Sequence, residues 1–499
     1  MSTPGRARRS GRALLSRSDS RSSSISSSAS NEGRSWHPLE VDAKPSDAPA
    51  ATRRSCCCCC RRLRLRLCVC TLLVIVALTL AAAAATTTVW RWLLPAVTIP
   101  ASDPRLLYTG RWVVSHGSAR ADWPCASIRF RVRATAGAAL ALSWHGTRVR
   151  LNATVVATDA AVGAPPPPSS HSILLGWPLA IYGIELPPIR SALRFAEGGE
   201  YEVEVTKLND PAPYNMGIGR FIDPSQLRFD GLVASGGGGV AVLASAPAAR
   251  RIEFVGASDT SGYCVDGTTA DDGWRFAFVG WARQNCYRAT PALLGRTFSA
   301  DVQVVALPAS GLTQNAFAAT PWVNGEHTMA DHYERALLTS GGPSAWNFSS
   351  FVPQLVVLSL GGNDYNHQAL DAPSNATFDA RYAQLLERVF EAYASEPRLT
   401  VISVCGQGSP QERALDPDNN RCRPCPHVER ASRAAAAARP AWRLHYIFVP
   451  CDGSVVTGVG DIGCDGHKSP VGMAKVAGFL APRVAAIMRW DAPSNGTAP

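Results

Sequence analysis

Three almost uninterrupted apolar runs, each closed by small and polar residues, constrain the second half of this chain more than any other feature. Ile252-Glu-Phe-Val-Gly256, Asp301–Leu307 and Gln354–Leu360 do not alternate, which is how strands covered on both faces read. Leu399–Val404 and Leu444–Val449 are two more strands of this kind. Tyr333–Leu338 and Thr377–Tyr393 carry helical spacing, and Val471–Met488 reads as a closing helix. Alternation of strand and helix over residues 250–490 predicts a three-layer α/β domain with a doubly wound parallel sheet. Sites in such sheets lie at the carboxyl ends of the strands.

Residues 100–248 follow a different rule. Ser127–Val132, Ala139–Trp144, Arg148–Val155 and Glu200–Lys207 alternate with period two, and Gly, Pro and Asp separate the runs. That pattern predicts an antiparallel β-sandwich, jelly-roll-like, ahead of the α/β domain. Pro165–Pro168 reads as a stiff excursion and Gly236–Gly239 as a flexible turn.

Four short blocks at predicted strand ends carry the chemistry. Ser258 follows the first strand at a Gly-rich strand-to-helix turn, where a hydroxyl is exposed and negative charge is favoured; taken alone it is equally a helix cap. Ala309-Ser-Gly311 follows the second strand, and small residues there let a backbone N–H approach a substrate oxygen. An ordinary polar loop has the same composition. Asn363, in Gly361-Gly-Asn-Asp364, offers an amide to a developing oxyanion, although Gly-Asn-Asp also simply makes turns. His467, preceded by Asp465 and just before the last helix, is a natural general base with a carboxylate to orient it. The order Ser, Ala/Gly, Asn, His is what separates this set from four unrelated loops.

That order is the four-block signature of the SGNH (GDSL-like) hydrolases. Residues from about 105 to 485 resemble, more narrowly, carbohydrate esterase family 2, which joins a β-sandwich to an SGNH domain. The resemblance rests on Thr109-Gly-Arg-Trp112 and Tyr201–Lys207 in the sandwich. In the α/β region it rests on Ile252–Ser258, Trp346-Asn-Phe-Ser349, Leu360–Asp364 and Cys464-Asp-Gly-His467. It implies a serine esterase that removes O-acetyl groups from polysaccharides such as xylan or mannan, without metal or organic cofactor. Ser258 would attack the acetyl carbonyl and His467 would take its proton. The N–H groups of Ser258 and of the Ala309–Gly311 turn, with the Asn363 amide, would hold the oxyanion. Two departures stand out: Ala257 replaces the Asp that normally braces the nucleophile turn, leaving Asp259 as its candidate substitute, and Asp465 lies two residues before the His instead of three. The second block's donor corresponds either to Ala309 or to Gly311.

Two other functions fit the same blocks. An O-acetyltransferase would pass the acyl group to a sugar hydroxyl, and a decayed enzyme would keep only carbohydrate binding, with Ala257 as its first lesion. Trp274, Trp281, Trp322 and Trp346 are candidates for stacking on sugar rings, and equally for core.

The N-terminal region sets the compartment. Residues 1–66 are Ser- and Arg-rich without periodicity, a disordered cytosolic tail. Residues 67–92 contain an uncharged apolar stretch long enough to span a bilayer, with Arg61, Arg62, Arg64 and Arg66 before it. The expectation is a single-pass type II signal-anchor protein of the Golgi or cell surface; the alternative is secretion after cleavage. Cys56, Cys57, Cys58, Cys59 and Cys60 form a candidate palmitoylation cluster, or a low-complexity accident. Sequons at Asn152, Asn347, Asn375 and Asn495 all lie beyond the span. So do eight cysteines, an even number that suggests disulfides, although Cys422-Arg-Pro-Cys425 also has the form of half a zinc site. The net charge of +10 points to no polyanion. Residues 1–67 hold 14 basic against 5 acidic side chains, and the remainder is nearly balanced at 35 against 34, which excludes nucleic acid as an electrostatic partner of the folded region.

Overall fold

The computed structural model describes residues 97–146, 148–158, 169–175, 188–211, 225–234, 239–271, 280–316, 327–338, 344–365, 371–408 and 421–491. The tail, the apolar span, Cys56–Cys60, Pro165–Pro168, Trp274, Trp322 and Asn495 lie outside them.

Among the described residues, twelve strands occupy the first region: β1 (Val97–Pro100), β2 (Leu107–Thr109), β3 (Val113–Ser115), β4 (Ser118–Ala121), β5 (Ser127–Ala134), β6 (Ala139–Gly146), β7 (Val149–Ala157), β8 (Ser169–Leu175), β9 (Ile189–Arg194), β10 (Gly199–Lys207), β11 (Leu227–Ala234) and β12 (Val240–Leu243). One antiparallel sheet runs β3-β4-β11-β6-β9 with β1 also on β11. The other runs β12-β5-β10-β7-β8 with β2 also on β5. Phe130, Val132, Leu151 and Val203 from one sheet and Leu142, Trp144 and Phe229 from the other share a single core. Alternation produces this packing: in β5, Ile128, Phe130 and Val132 point inward while Arg129, Arg131 and Arg133 point out. Opposite those arginines, β10 places Glu204, Glu202 and Glu200. Arg133 pairs with Glu200 at 2.6 Å and Arg129 with Glu202 at 3.3 Å. Opposite charges across a strand pair help fix register, because a one-residue slip would turn them into the core.

Five parallel strands follow, β13 (Arg250–Gly256), β14 (Ala300–Ala306), β15 (Leu355–Ser359), β16 (Thr400–Gly406) and β17 (Arg443–Val449), in the order β14-β13-β15-β16-β17. Leu293 and Leu294, with Met473, Val476, Leu480 and Val484 of the closing helix Pro470–Met488, cover one face of this sheet. Phe378, Tyr382, Leu385 and Val428 cover the other. Among the described residues that closing helix is the one long and apolar enough to cross a membrane, and it packs on the sheet. Strand order reverses at β13, between β14 and β15, so the switch point of the sheet lies at the end of β13.

One expectation changes. The helix over Tyr333–Leu338 is instead one turn, Met329–His332, and then an irregular chain. Buried Arg111, from the Thr109–Trp112 motif, donates from Nη1 to the carbonyls of Tyr333 and Arg335, the groups a continuing helix would need for its own ladder. The Ala/Arg-rich helix Cys425–Ala438 is anchored in the core. Val428, Ala431 and Ala435 are buried, and Ser432 bonds Ser403 of β16 at 2.9 Å.

Arg111 also joins the two regions. Its Nη2 meets Glu253 of β13 at 3.2 Å, both side chains being fully buried. Gln303 and the Tyr333 hydroxyl complete that carboxylate at 2.6 and 2.8 Å. The disulfide Cys125–Cys286 makes a second, covalent link across the seam.

Candidate active site

Each of the four blocks leaves the sheet at the carboxyl end of a strand, or enters the last helix beside those ends. Because β13 lies between β14 and β15, the nucleophile turn has the second block on one side and the third on the other. Ser258 opens a single helical turn, Ser258–Ser261, two residues past β13, and is 9% exposed. The turn is tight enough to require glycine twice. A Cβ at Gly256 would sit 2.1 Å from Thr260 Oγ1, and Gly262 has φ +78 with Asn285 backbone 2.6 Å from where its Cβ would be.

The second block resolves between its two donors. Gly311 N–H donates to Asn315 Oδ1 at 3.1 Å, so it is spent inside the loop. Ala309 adopts φ +58, the left-handed conformation that normally favours glycine. Its N–H has no acceptor among the described residues, so of the two it is the N–H left open. Gly311 is required for another reason: a Cβ there would stand 1.9 Å from the Gln314 carbonyl.

Asn363 of the third block donates from Nδ2 to the Ser310 carbonyl at 2.9 Å, which ties the second and third blocks together. An amide nitrogen carries two hydrogens, so one remains for an oxyanion. The neighbouring Asp364, fully buried, accepts from Leu312 N at 2.8 Å, from Thr313 N and Oγ1 at 2.6 Å each, and from Gln314 N at 3.3 Å. Sequence reasoning passed over Asp364 as a turn residue. Its signal was an acidic side chain directly after the Asn, where the loop from β14, on the far side of β13, needs acceptors.

In the fourth block the imidazole of His467 is held at Nδ1 by the main-chain carbonyl of Asp465, 2.6 Å away. With Nδ1 donating, Nε2 is the basic nitrogen. The orienting role expected of the Asp465 side chain is therefore taken by its backbone, which at φ +50 turns the carbonyl toward the ring. The Asp465 carboxylate instead accepts from the Tyr263 hydroxyl at 3.2 Å. Tyr263 packs edge-on against His467, ring centroids 4.6 Å apart, and is a site residue the sequence did not reveal.

Charge closes the constellation. Asp259, next to Ser258, pairs with Lys468, next to His467, at 2.8 Å, and with Arg421 at 2.6 Å. Burial works against ionisation of Asp259, but the Arg421 guanidinium and Lys468 ammonium overcome it and hold the carboxyl well below its usual range. Burial, and then Arg421, push His467 below the ordinary imidazole value, against the pull of Asp259 and Asp465. Disulfides frame the same corner: Cys264–Cys464 spans the nucleophile and base segments, and Cys405–Cys425 and Cys422–Cys451 hold the chain beside Arg421. Both sulfurs of the CxxC pair are consumed in these bonds.

Of the tryptophans, Trp346 is 9% exposed and packs against the Arg111 guanidinium, a core position at the seam between the two regions. Among the sequons, Asn347 and Asn375 are exposed. Asn152 lies in β7, 8% exposed, with its amide bonded to Thr154.

No family model matches the chain. It is 32% identical over 157 residues to cellulase/esterase CelE of Acetivibrio thermocellus, a stretch that makes up 32% of this chain and 17% of that relative, so the chain spans about a sixth of the relative's length. Solved structures cover far more. A family two carbohydrate esterase from Cellvibrio japonicus superimposes with TM-score 0.57 at 18% identity, over 80% of this chain and 99% of its own. The family has the fold seen here. Another family two esterase, from Clostridium thermocellum in complex with cellohexaose, gives TM-score 0.57 at 21% identity over 77% of this chain and all of its own. An acetyl xylan esterase from Butyrivibrio proteoclasticus gives 0.58 at 14% identity over 80% and 100%. The family two fold thus extends over about four-fifths of this chain, more than either the sandwich or the parallel domain alone.

Proposed function

We propose that this chain is a serine esterase that hydrolyses O-acetyl esters of a polysaccharide or glycan. The observation that carries the reading is the Asp259–Lys468 ion pair. It brings the residues flanking Ser258 and His467 into contact, while Ala309 and Asn363 stand on either side of the nucleophile turn. Nε2 of His467 takes the proton from Ser258 Oγ as that oxygen attacks the acetyl carbonyl. The oxyanion is met by the N–H groups of Ser258 and Ala309 and by the Asn363 amide. The imidazolium then protonates the departing sugar oxygen. Water, deprotonated by the same imidazole, releases acetate and restores Ser258.

A polysaccharide substrate is supported by the cellohexaose found in the Clostridium thermocellum relative and by the xylan esterase activity named for the Butyrivibrio protein. A secretory location is supported by four disulfides in the described part. An N-terminal anchor and glycans on the exposed Asn347 and Asn375 go with that location.

The test is acetate release by the full-length protein from acetylated xylan and from p-nitrophenyl acetate, beside Ser258→Ala. Wild-type turnover should fall by about 10³-fold or more in the variant. Equal rates in the two proteins would overturn the reading. Binding of cello-oligosaccharides by folded protein without any turnover would put the carbohydrate-binding reading ahead.

A further inference from the structure

We infer that Asp259 does the bracing that Ala257 cannot: it is a positioning residue whose carboxylate ties the nucleophile turn to the loop of the base and to Arg421. The inference rests on the esterase reading and gives Asp259 two partners, Lys468 and Arg421, that no block of the signature contains.

The geometry is a three-way junction. Asp259 Oδ2 lies 2.8 Å from Lys468 Nζ and 2.6 Å from Arg421 Nη1. Arg421 Nη2 donates to the Gly466 carbonyl at 2.9 Å, so one guanidinium grips both the nucleophile segment and the residue just before His467. Lys468 is fully buried. A buried ammonium is tolerated only with its counter-charge in place, which separates this pair from an ordinary surface contact. Arg421 in turn is anchored by its neighbour, since Cys422 is bonded to Cys451 just past β17. Glycines at 458, 460, 463 and 466 make the base loop costly to order by backbone preference alone. The junction holds that loop at the point where the imidazole leaves it.

The same junction sets the charge that His467 experiences. Among the described residues, the charged groups acting on its ring are Arg421, Asp259 from the nucleophile turn and Asp465 from its own loop, with the Tyr263 ring packed edge-on against it. Arg421 disfavours the imidazolium, and Asp259 and Asp465 favour it. Removing the guanidinium should therefore raise the pH at which the base becomes active, and removing the Asp259 carboxylate should lower it. A purely structural role would not give opposite signs.

The experiment measures kcat/KM against pH on p-nitrophenyl acetate with the full-length protein. In parallel, the His467 imidazole is titrated by NMR, its signal assigned with His467→Gln. For Arg421→Gln the acidic limb and the NMR midpoint should both rise by about half a unit to one unit, and Arg421→Lys should restore most of the shift. Asp259→Asn should move both downward and lower kcat about tenfold or more. That variant removes the Asp259 carboxylate from buried Lys468 and is at risk of not folding. Arg421→Gln changes a side chain with 22% exposure and keeps the test decisive on its own. An unmoved midpoint in Arg421→Gln, or a shift that Arg421→Lys fails to reverse, would overturn the inference. Wild-type protein without turnover whose NMR midpoint still moves as expected would overturn the esterase reading and leave the junction standing.

Discussion

The two flanks of Ser258 are held by different forces. On the oxyanion side, order comes from hydrogen bonds. Asp364 collects four donors from the Leu312–Gln314 loop, Asn315 receives Ser310 and Gly311, and Asn363 locks onto Ser310. On the base side it comes from three charges and three disulfides. The oxyanion loops leave β14 and β15, neighbours of β13 in a packed sheet, so their ends are already fixed and hydrogen bonds suffice to aim N–H groups. The base sits on a long glycine-rich connection, and ordering such a chain costs more backbone entropy. Cross-links and a buried ion junction meet that cost. Geometry on one flank is inherited from the sheet, and on the other it is imposed from outside.

This contrast can be broken most forcefully through the β-sandwich. Arg111 reaches from it to the carbonyls of Tyr333 and Arg335. From that region Met329 donates to Gly311, and the His327 carbonyl receives Asn315. Arg111→Met leaves Glu253 buried without its cation, and stability should fall by about 3–5 kcal/mol, read as a drop in the chemical-denaturation midpoint. If oxyanion geometry is inherited from the sheet alone, folded Arg111→Met should retain wild-type kcat. A large kcat loss in protein that is still folded would show that the sandwich aims the donors as well. The next largest effect is Asn363→Ala, which removes one oxyanion donor and should lower kcat by about 10²–10³-fold with little change in KM. A change confined to KM would mean that the amide binds substrate instead of the developing charge.

How much of this was legible in sequence follows from the same division. The positions of Ser258, Asn363 and His467 were readable because each sits at the end of an apolar run or before a closing helix, where chain order predicts position. The choice between Ala309 and Gly311 was not, since both are small and nothing in a sequence announces an alanine at positive φ or a glycine N–H already spent on Asn315. Asp259 was named as a candidate brace, but its partners Lys468 and Arg421 were hidden for a different reason. They lie next to landmarks in the chain, but their pairing spans more than 150 residues, and no periodicity encodes it. Arg111 lay inside a motif that the resemblance had singled out, yet its work is done on carbonyls of another region. The same contact explains why helical spacing over Tyr333–Leu338 did not become a helix.

The smallest expected effect is also the sharpest check on how the base is oriented. Asp465 holds His467 through its carbonyl, and that group survives any side-chain change the backbone can accommodate. Asn tolerates left-handed φ better than most residues, so Asp465→Asn should keep the +50 conformation and the 2.6 Å contact. The hydroxyl of Tyr263 would still find an amide oxygen. The expected fall in kcat is less than about threefold, equivalent to roughly 0.6 kcal/mol. The acidic limb should move slightly downward, because a negative charge that favours the imidazolium is gone. A loss near 10⁴-fold, of the size found when a triad carboxylate is neutralised, would return the orienting role to the side chain. Base-side order would then depend on a carboxylate–imidazole pair, and the two flanks would differ less in kind than the geometry indicates.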